Sequence, residues 1–156
     1  MAAFANKCDA CIAPSKHLER ILVEDGGLNV PCYVFPNGID TKRYRRASAD
    51  NSPIEKRPGE KFIISVARLS PEKRQRTLIE AMPRIRDKRV KLVLVGGGPY
   101  EDELRQCVEE LNVGDRVIFA GMRSGDEVAA LLKQADVFSL ASYHFDNQPM
   151  TFLEAA

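Results

Sequence analysis

Strand and helix patterns alternate along the chain from Phe62 onward, and this alternation constrains the fold more than any other feature. Four short apolar runs rich in β-branched residues are typical of buried strands: "FIISVA" (62–67), "VKLVLVGGG" (90–98), "RVIFAG" (116–121) and "DVFSLAS" (136–142). Apolar residues recur at helical spacing between them. The order strand, helix, strand, helix predicts right-handed βαβ units, and therefore an α/β fold whose parallel sheet is flanked by helices.

Helix signals separate the strands. "TLIEAMPRI" places Leu78, Met82 and Ile85 on one helical face, and a second face carries Leu104, Cys107, Val108 and Leu111. Ser124 and Glu127 form a capping box that predicts the start of a third helix. Pro149 suits the first turn of a fourth helix, because its missing N–H has no intrahelical partner there.

The organisation before Phe62 is different. "CDACIAPS" predicts a strand that leads into a helix from Ser15, ending at Gly26-Gly27, and "CYVFPNGID" predicts a second strand. Residues 45–60 are polar, carry two prolines, and predict a linker or surface loop. We therefore expect residues 1–44 to hold the end of one α/β unit and the segment that leads out of it, and residues 61–156 to form a second, incomplete unit.

Composition excludes several classes of function. The chain has 156 residues, 44% hydrophobic and 29% charged, with a formal net charge of +1, so nothing favours binding to nucleic acid. No stretch approaches the roughly 20 apolar residues that span a bilayer, and the first residues lack a signal-peptide pattern. We expect a cytoplasmic protein.

The four cysteines include one C-x-x-C pair, Cys8 and Cys11, which suits either a zinc half-site or a redox pair. A second ligand pair at regular spacing is missing, and His17 and His144 are isolated. We therefore favour reduced cysteines that pack as small apolar groups, and we expect no metal site.

Polar residues and glycines follow each predicted strand, at the edge where open α/β sheets bind ligands. Arg68 and Lys73 follow the first strand and could converge on a diphosphate, although two solvated surface cations would show the same spacing. Gly96, Gly97 and Gly98 follow the second strand, without the glycine spacing of a dinucleotide-binding motif or a P-loop.

The stretch "SYHFDNQPMTFLEAA" (142–156) places two carboxylates, Asp146 and Glu154, around a predicted helix start. A helix beginning near Gln148 leaves the amides of Met150 and Thr151 unpaired, and such amides bind phosphate. Glu154 would then lie about one turn further along, where it could accept hydrogen bonds from sugar hydroxyls. In the alternative, Asp146 caps the helix and Glu154 is a solvated helix residue.

Several segments in order resemble glycosyltransferase family 4, retaining nucleotide-sugar transferases with the two-domain, Rossmann-like GT-B fold. "VFPNGIDTKRY" resembles the interdomain segment of the family, and "SVARLSPEKRQRTLIEA" resembles its first phosphate-binding segment. "LVLVGGGPYEDEL" and "DRVIFAGMRSGDEVAALLKQADVFSLAS" resemble the strands and loops that follow. The last stretch matches the E-x7-E signature, with Asp146 in place of the first glutamate and "NQPM" in place of the commoner Phe-Gly step.

The resemblance implies roles for individual residues. Arg68 and Lys73 would hold the diphosphate of the donor, and the amides of Met150 and Thr151 would contact its distal phosphate. Glu154 would bind the ribose and Asp146 the transferred sugar. The backbone of Gly121, Met122 and Arg123 would surround the base, and Gly97 would line the donor site.

The resemblance also implies a function. We expect a donor-binding portion of a glycosyltransferase that transfers a hexosyl-type sugar from a nucleoside diphosphate sugar with retention. The sequence contains no Asp-x-Asp pair, so we expect no metal and no cofactor other than the donor substrate. The acceptor, a sugar or a lipid-linked molecule, would bind to an N-terminal domain that this chain lacks, so we expect the chain alone to be inactive.

Two other classes of function stay open. The chain could be a binding module that holds a nucleotide or nucleotide sugar without transferring it, or a structural fragment without a ligand. The family resemblance is also compatible with peripheral membrane association of the full enzyme.

Overall fold

The computed structural model describes residues 2–143 and 149–156. These residues divide into two units: one runs to Ile39 and includes 149–150, and the other runs from Asp40 to 143 and includes Thr151–Ala156. The helices are α1 (Ala2–Ala5), α2 (Lys16–Arg20), α3 (Thr41–Arg46), α4 (Gln75–Ala81), α5 (Glu101–Glu110), α6 (Gly125–Gln134) and α7 (Met150–Ala155). The strands are β1 (Cys11–Ala13), β2 (Cys32–Val34), β3 (Lys61–Val66), β4 (Val90–Val95), β5 (Val117–Gly121) and β6 (Val137–Phe138).

The first unit contains a small parallel sheet. Strands β1 and β2 pair in parallel, with Cys11 opposite Cys32. The side chain of Ser15 accepts a hydrogen bond from the amide of Leu18 and so caps α2, as the sequence predicts. Helix α2 continues as a π-helical turn, Ile21–Asp25, which ends at the predicted glycines. Gly27 has a φ of 67°, a conformation that glycine adopts without strain.

The second unit contains a four-stranded sheet in the order β5-β4-β3-β6. Every neighbouring pair is parallel, so the α/β fold with a parallel sheet is confirmed. Because parallel strands end at the same edge, the loops after β3, β4, β5 and β6 all lie at the carboxyl edge of this sheet.

Two apolar clusters pack on the two faces of this sheet. One cluster joins side chains of β4 to the helices α4 and α5, and it contains Leu92, Leu94, Ile79, Leu104 and Cys107. The other joins β3 and β4 to α6, and it contains Phe62, Ile64, Val93 and Leu131. Each listed side chain is at most 1% exposed, which fixes the strands between two helical layers.

A buried arginine closes the opposite edge of the sheet. Arg116 is 2% exposed and lies directly before β5. Its guanidinium donates to the carbonyls of Met82 at 2.8 Å, Val90 at 3.2 Å, Ile85 at 3.3 Å and Asp87 at 3.3 Å. These bonds satisfy a charge that would otherwise be costly to bury, and they join α4, β4 and β5.

The structure differs from the sequence-based expectations in three elements. The predicted loop at 45–60 begins inside α3, whose start Asp40 caps by accepting from Lys42 and Arg43, and it contains a 3-10 turn at Ala49–Asn51. Helix α4 ends at Ala81 because Pro83 interrupts the α-helical hydrogen bonds, and a 3-10 turn follows. Strand β6 has only two residues, much shorter than the predicted run.

Candidate functional site

Main-chain hydrogen bonds hold three loops together at the carboxyl edge of the sheet. The amide of Ala67 donates to Val95 at 3.0 Å, and the amide of Leu69 donates to Gly97 at 3.1 Å. The amide of Gly96 donates to Gly121 at 2.9 Å, which joins the loop after β4 to the end of β5. The pairing of the sheet thus continues past the strands, and it flanks Arg68 on both sides.

The glycine run makes this close approach feasible. A Cβ on Gly96 would overlap the carbonyl oxygen of Ala67, and a Cβ on Gly98 would overlap that of Leu69. Gly96 also has a φ of 132°, which residues with a side chain rarely adopt. Two of the three glycines are therefore required by the packing of one loop backbone on another, rather than by a ligand.

A cavity of about 490 Å³ opens between these loops. Four of the residues that line it are apolar side chains, and two are arginines: Val66, Val95, Met122, Val128, Arg68 and Arg123. Ala67, Gly96 and Gly97 complete the lining. Binding sites for small molecules are typically concave and mostly apolar, with a few polar groups that orient the ligand.

The loop that carries Arg68 and Lys73 is fixed by local contacts. Lys73 ends a 3-10 turn, Pro71–Lys73, and its side chain is half-buried. The hydroxyl of Ser70 donates to the carboxylate of Glu72 at 2.6 Å, and this bond lowers the pKa of Glu72. Arg68 itself is exposed and lines the cavity, whereas Lys73 is not among the lining residues.

Arg74 and Tyr143 brace the same loop. Arg74 adopts a left-handed conformation, with a φ of 49°, between the 3-10 turn and α4. Its guanidinium carbon lies 4.1 Å from the centre of the Tyr143 ring, at the distance of a cation–π contact. The amide of Tyr143 also donates to the carbonyl of Glu72 at 3.3 Å, so the segment after β6 supports the segment after β3.

Met122 and Arg123 form another wall of the cavity. The side chain of Met122 is 78% exposed and approaches Gly97, where a Cβ would lie 3.3 Å from its Cγ. Arg123 donates to the carbonyl of Ala120 at 2.8 Å and to Glu127 at 3.2 Å. Its guanidinium is thus held at the start of α6, ion-paired with the Glu127 carboxylate, at the wall of the cavity.

The capping box at the start of α6 is present as predicted. The side chain of Ser124 accepts from the amide of Glu127, and the carboxylate of Glu127 accepts from the amide of Ser124 at 2.8 Å. The hydrogen bonds from Ser124, with a further one from Arg123, lower the pKa of Glu127.

Three of the residues predicted around the last helix, Met150, Thr151 and Glu154, lie in α7. Met150 and Thr151 form its first turn, so their amides have no partner within the helix. Glu154 is half-buried, and burial, together with the interaction of Tyr44 of α3 with Glu154, raises the pKa of that tyrosine. Asp146 lies outside the described residues.

The structure therefore brings Arg68, Gly97, Met122 and Arg123 together on one cavity, with Gly121 at the adjoining end of β5. Sequence reasoning missed Gln75, whose side chain is buried below the Arg68 loop, and the supporting residues Tyr143 and Tyr44. For Tyr44 a signal exists in the sequence, since it is the single aromatic residue in the basic run "TKRYRR".

The cysteines are free thiols, and Cys107 is buried in the apolar core. Burial raises the pKa of Cys107 and of Cys32. Within residues 2–143 and 149–156, no three His, Cys, Asp or Glu side chains converge as a metal site would require. In the same ranges, no helix combines the length and apolar character needed to cross a membrane.

In open α/β sheets, ligands bind in the crevice outside the carboxyl ends of the strands, and this cavity with its two arginines lies there. The model of the family described as glycosyl transferases group 1 matches residues 48–156. The chain belongs to this family, which confirms the resemblance seen in the sequence.

Two relatives of this chain are much longer than it is. Alpha-monoglucosyldiacylglycerol synthase from Streptococcus pneumoniae is 32% identical over 97% of this chain and 36% of its own length. A GDP-mannose-dependent alpha-(1-6)-phosphatidylinositol monomannoside mannosyltransferase from Mycobacterium tuberculosis is 38% identical over 78% of this chain and 34% of its own length. The chain thus spans about a third of the length of these relatives.

Solved structures share the fold. HepE from Anabaena, in complex with UDP and glucose, superimposes with a TM-score of 0.87 at 26% identity, over 99% of this chain and 44% of HepE. Sucrose-phosphate synthase from Thermosynechococcus elongatus gives a TM-score of 0.84 at 27% identity, over 99% of this chain and 40% of that structure. The chain therefore has the Rossmann-like α/β architecture of GT-B glycosyltransferases.

Proposed function

We propose that this chain provides the donor site of a retaining glycosyltransferase that uses a nucleoside diphosphate sugar. The observation that carries the proposal is the cavity at the carboxyl edge of the sheet, with apolar walls and Arg68 at its lining. Family membership supports sugar transfer, and the UDP and glucose bound by HepE support a nucleotide-sugar donor.

The donor would be held by groups of different chemistry. The base would lie against the apolar wall formed by Gly97, Met122 and the backbone of Gly121 and Arg123. Arg68 and Lys73 would bind the diphosphate, the first through its planar guanidinium and the second as a compact cation.

The residues around α7 would complete the donor site. The amides of Met150 and Thr151 would bind the distal phosphate. Glu154 would accept hydrogen bonds from the ribose, and Asp146 would contact the transferred sugar. The roles of these four residues rest on the match to the family signature.

The reaction would break the bond between the anomeric carbon and the diphosphate oxygen, which leaves with the electron pair. An acceptor hydroxyl oxygen would form the new bond on the same face, and its proton would pass to the departing diphosphate. Arg68 and Lys73 would stabilise the developing negative charge electrostatically, without a metal. The whole protein would be the transferase, whereas the chain alone would bind the donor without transferring it.

Calorimetric titration of the chain with UDP and with GDP tests the proposed site. We expect binding of at least one nucleotide, and we expect Arg68→Ala/Lys73→Ala to weaken it by about 100-fold, as the loss of two charge-assisted contacts implies. The matched control is Arg86→Ala/Lys88→Ala, which removes the same two charges from exposed positions before β4, at the opposite edge of the sheet.

Equal affinity in the two double variants would remove the phosphate role from Arg68 and Lys73. Absence of binding of either nucleotide, with a melting temperature that millimolar nucleotide leaves unchanged, would favour a structural role without a ligand. A binding module without transfer predicts the same titrations. An activity assay on the whole protein distinguishes the two functions. A transferase would yield a glycosylated product with the anomeric configuration of the donor, whereas a binding module would yield no product.

A further inference from the structure

Gln75 lies beneath the loop that carries Arg68. It is the first residue of α4, and its side chain is 1% exposed. Its amide nitrogen donates to the main-chain carbonyl of Arg68 at 2.8 Å. The side chain thus connects the start of the helix to the peptide unit that follows Arg68, across the turn formed by Pro71–Lys73.

This hydrogen bond completes the restraint of the Arg68 backbone. The amides of Ala67 and Leu69, one on each side of Arg68, donate to the loop after β4. The bond from Gln75 fixes the carbonyl of Arg68 itself, which the other two bonds leave unpaired. The peptide unit that follows Arg68 is thus held at both its carbonyl and its N–H, and the amide of Ala67 holds the chain just before it, so the Arg68 backbone is restrained before any ligand binds.

The same side chain carries an unfavourable feature. Its oxygen, Oε1, is buried and has no hydrogen-bond partner among the residues that the structure describes. An unsatisfied buried acceptor lowers stability, and an apolar side chain of the same shape would avoid this loss. Buried polar groups that lack a partner are expected mainly at functional or strained sites, and this one lies directly beneath the cavity loop.

We propose that Gln75 is a positioning residue for the donor diphosphate, acting through the backbone of Arg68. The inference rests on the proposed function, because it assigns Gln75 to the phosphate contact made by Arg68. A fixed backbone reduces the conformational freedom that the arginine loses when it binds phosphate, and this preorganisation raises affinity. Gln75 itself has no contact with the donor in this arrangement.

The test uses Gln75→Met, which keeps the length and shape of the side chain and removes both the donor and the unpaired acceptor. We expect affinity for UDP, or for GDP if the chain prefers it, to fall by about 10-fold. We expect affinity for the nucleoside without phosphates, measured by NMR titration, to stay unchanged. Gln106→Met on the exposed face of α5 is the matched control and is expected to bind like the unsubstituted chain.

A double-mutant cycle identifies the route of the effect. If Gln75 acts through Arg68, Gln75→Met causes no further loss of affinity in the Arg68→Ala background. Gln75→Asn is the second variant: it keeps the amide but shortens the reach by one methylene, and we expect the same loss even if Gln75→Met folds poorly.

Three results would overturn the proposal. One is unchanged UDP affinity in folded Gln75→Met or Gln75→Asn, and another is an equal loss of nucleoside affinity, which is what a structural role predicts. The third is an additive loss in the Arg68→Ala background. If nucleotide binding depends on Arg68 but both Gln75 variants bind normally, only this inference is wrong. If nucleotide binding by the unsubstituted chain does not depend on Arg68, the proposed function is wrong as well.

Discussion

Tyr44 in α3 interacts with the carboxylate of Glu154 in α7, and burial, together with this interaction, raises the pKa of Tyr44. Tyr44 is half-buried, whereas the basic residues around it in α3 are exposed: Lys42, Arg43, Arg45 and Arg46. Helix α3 therefore directs one aromatic side chain inward and its charges outward. The carboxylate that matches the family signature is thus contacted by a residue about 110 positions earlier in the chain, a separation that local sequence patterns do not report.

The ionisation of Tyr44 provides a direct test of this contact. Burial, followed by the hydrogen bond to Glu154, raises the pKa of Tyr44 from 10.0 to about 12. Because the folded pKa is the higher one, the contribution to stability is fully present below pH 10 and is lost as the pH rises through about 12. Titration of phenolate absorbance should show a late-ionising tyrosine that Tyr44→Phe removes. In Glu154→Gln the late ionisation should move to lower pH because the negative charge beside Tyr44 is gone, and an unmoved step would contradict the contact.

Glu154 is expected to recognise the ribose if it has the proposed role. Glu154→Gln should weaken UDP binding by about 10-fold, because hydrogen bonds to a charged group are among the stronger ones. The same variant should bind a UDP analogue that lacks both ribose hydroxyls as well as the unsubstituted chain does. Glu103→Gln on exposed α5 is the control. Calorimetry that finds equal losses for UDP and the analogue would argue against ribose recognition.

Arg116 should be among the most important residues for stability. Arg116→Met removes the donor to four carbonyls and leaves them buried, so we expect the free energy of unfolding to fall by about 3 kcal/mol or more. Arg105→Met, which removes a surface ion pair with Glu101 and a cation–π contact with Phe119, should cost no more than about 2 kcal/mol. Denaturation in urea measures both. Similar losses of unfolding free energy for the two variants would mean that water molecules donate to the four carbonyls in place of Arg116.

A side chain introduced into the glycine run should lower the stability of the chain and weaken binding at the cavity. Gly98→Ala forces a Cβ into the carbonyl oxygen of Leu69, so the loop must move, and we expect a loss of about 2 kcal/mol or more together with weaker UDP binding. Gly114→Ala places its Cβ at 3.9 Å from the side chain of Val108, which is ordinary contact. That variant should change the unfolding free energy by no more than about 0.5 kcal/mol.

Asp136 is expected to determine part of the acid stability. Its carboxylate accepts from Lys56 at 2.6 Å and from the amide of Phe62 at 2.7 Å, and these two bonds lower its pKa. The contribution is therefore present above the ordinary pKa of 3.8 and is lost as the pH falls through the lowered value. The melting temperatures of Asp136→Asn and the unsubstituted chain should differ at neutral pH and converge in acid. Asp115→Asn is the exposed control, and a constant difference at all pH values would exclude the linkage.

Local patterns predicted the elements that depend on local physics. The strands β3, β4 and β5 follow from their apolar, β-branched runs, and the start of α6 follows from the Ser124–Glu127 capping box, which the structure contains. Arg68 was predicted at a strand end and lines the cavity. In each case the signal lies within a few residues of the feature that it predicts.

Features that depend on distant partners could not be predicted in the same way. In the sequence, Arg116 resembles a polar loop residue. The four carbonyls that accept its hydrogen bonds belong to positions 82–90, too far along the chain for a local pattern to reveal them. No sequence pattern around Gln75 identifies its role, because its partner is a main-chain carbonyl, which every residue has. The two-residue β6 was predicted too long because its apolar run does not show where pairing with β3 stops.

The glycines at 96 and 98 have one more implication, for altering the specificity of the cavity. Because they meet the Arg68 loop backbone to backbone, the geometry of that loop is independent of most side chains that line the cavity. Substitutions at the exposed Met122 can therefore reshape the opposite wall while the main-chain connections persist. Variants selected or designed for a different ligand can therefore carry many side chains at Met122, whereas Gly96 and Gly98 tolerate almost no substitution.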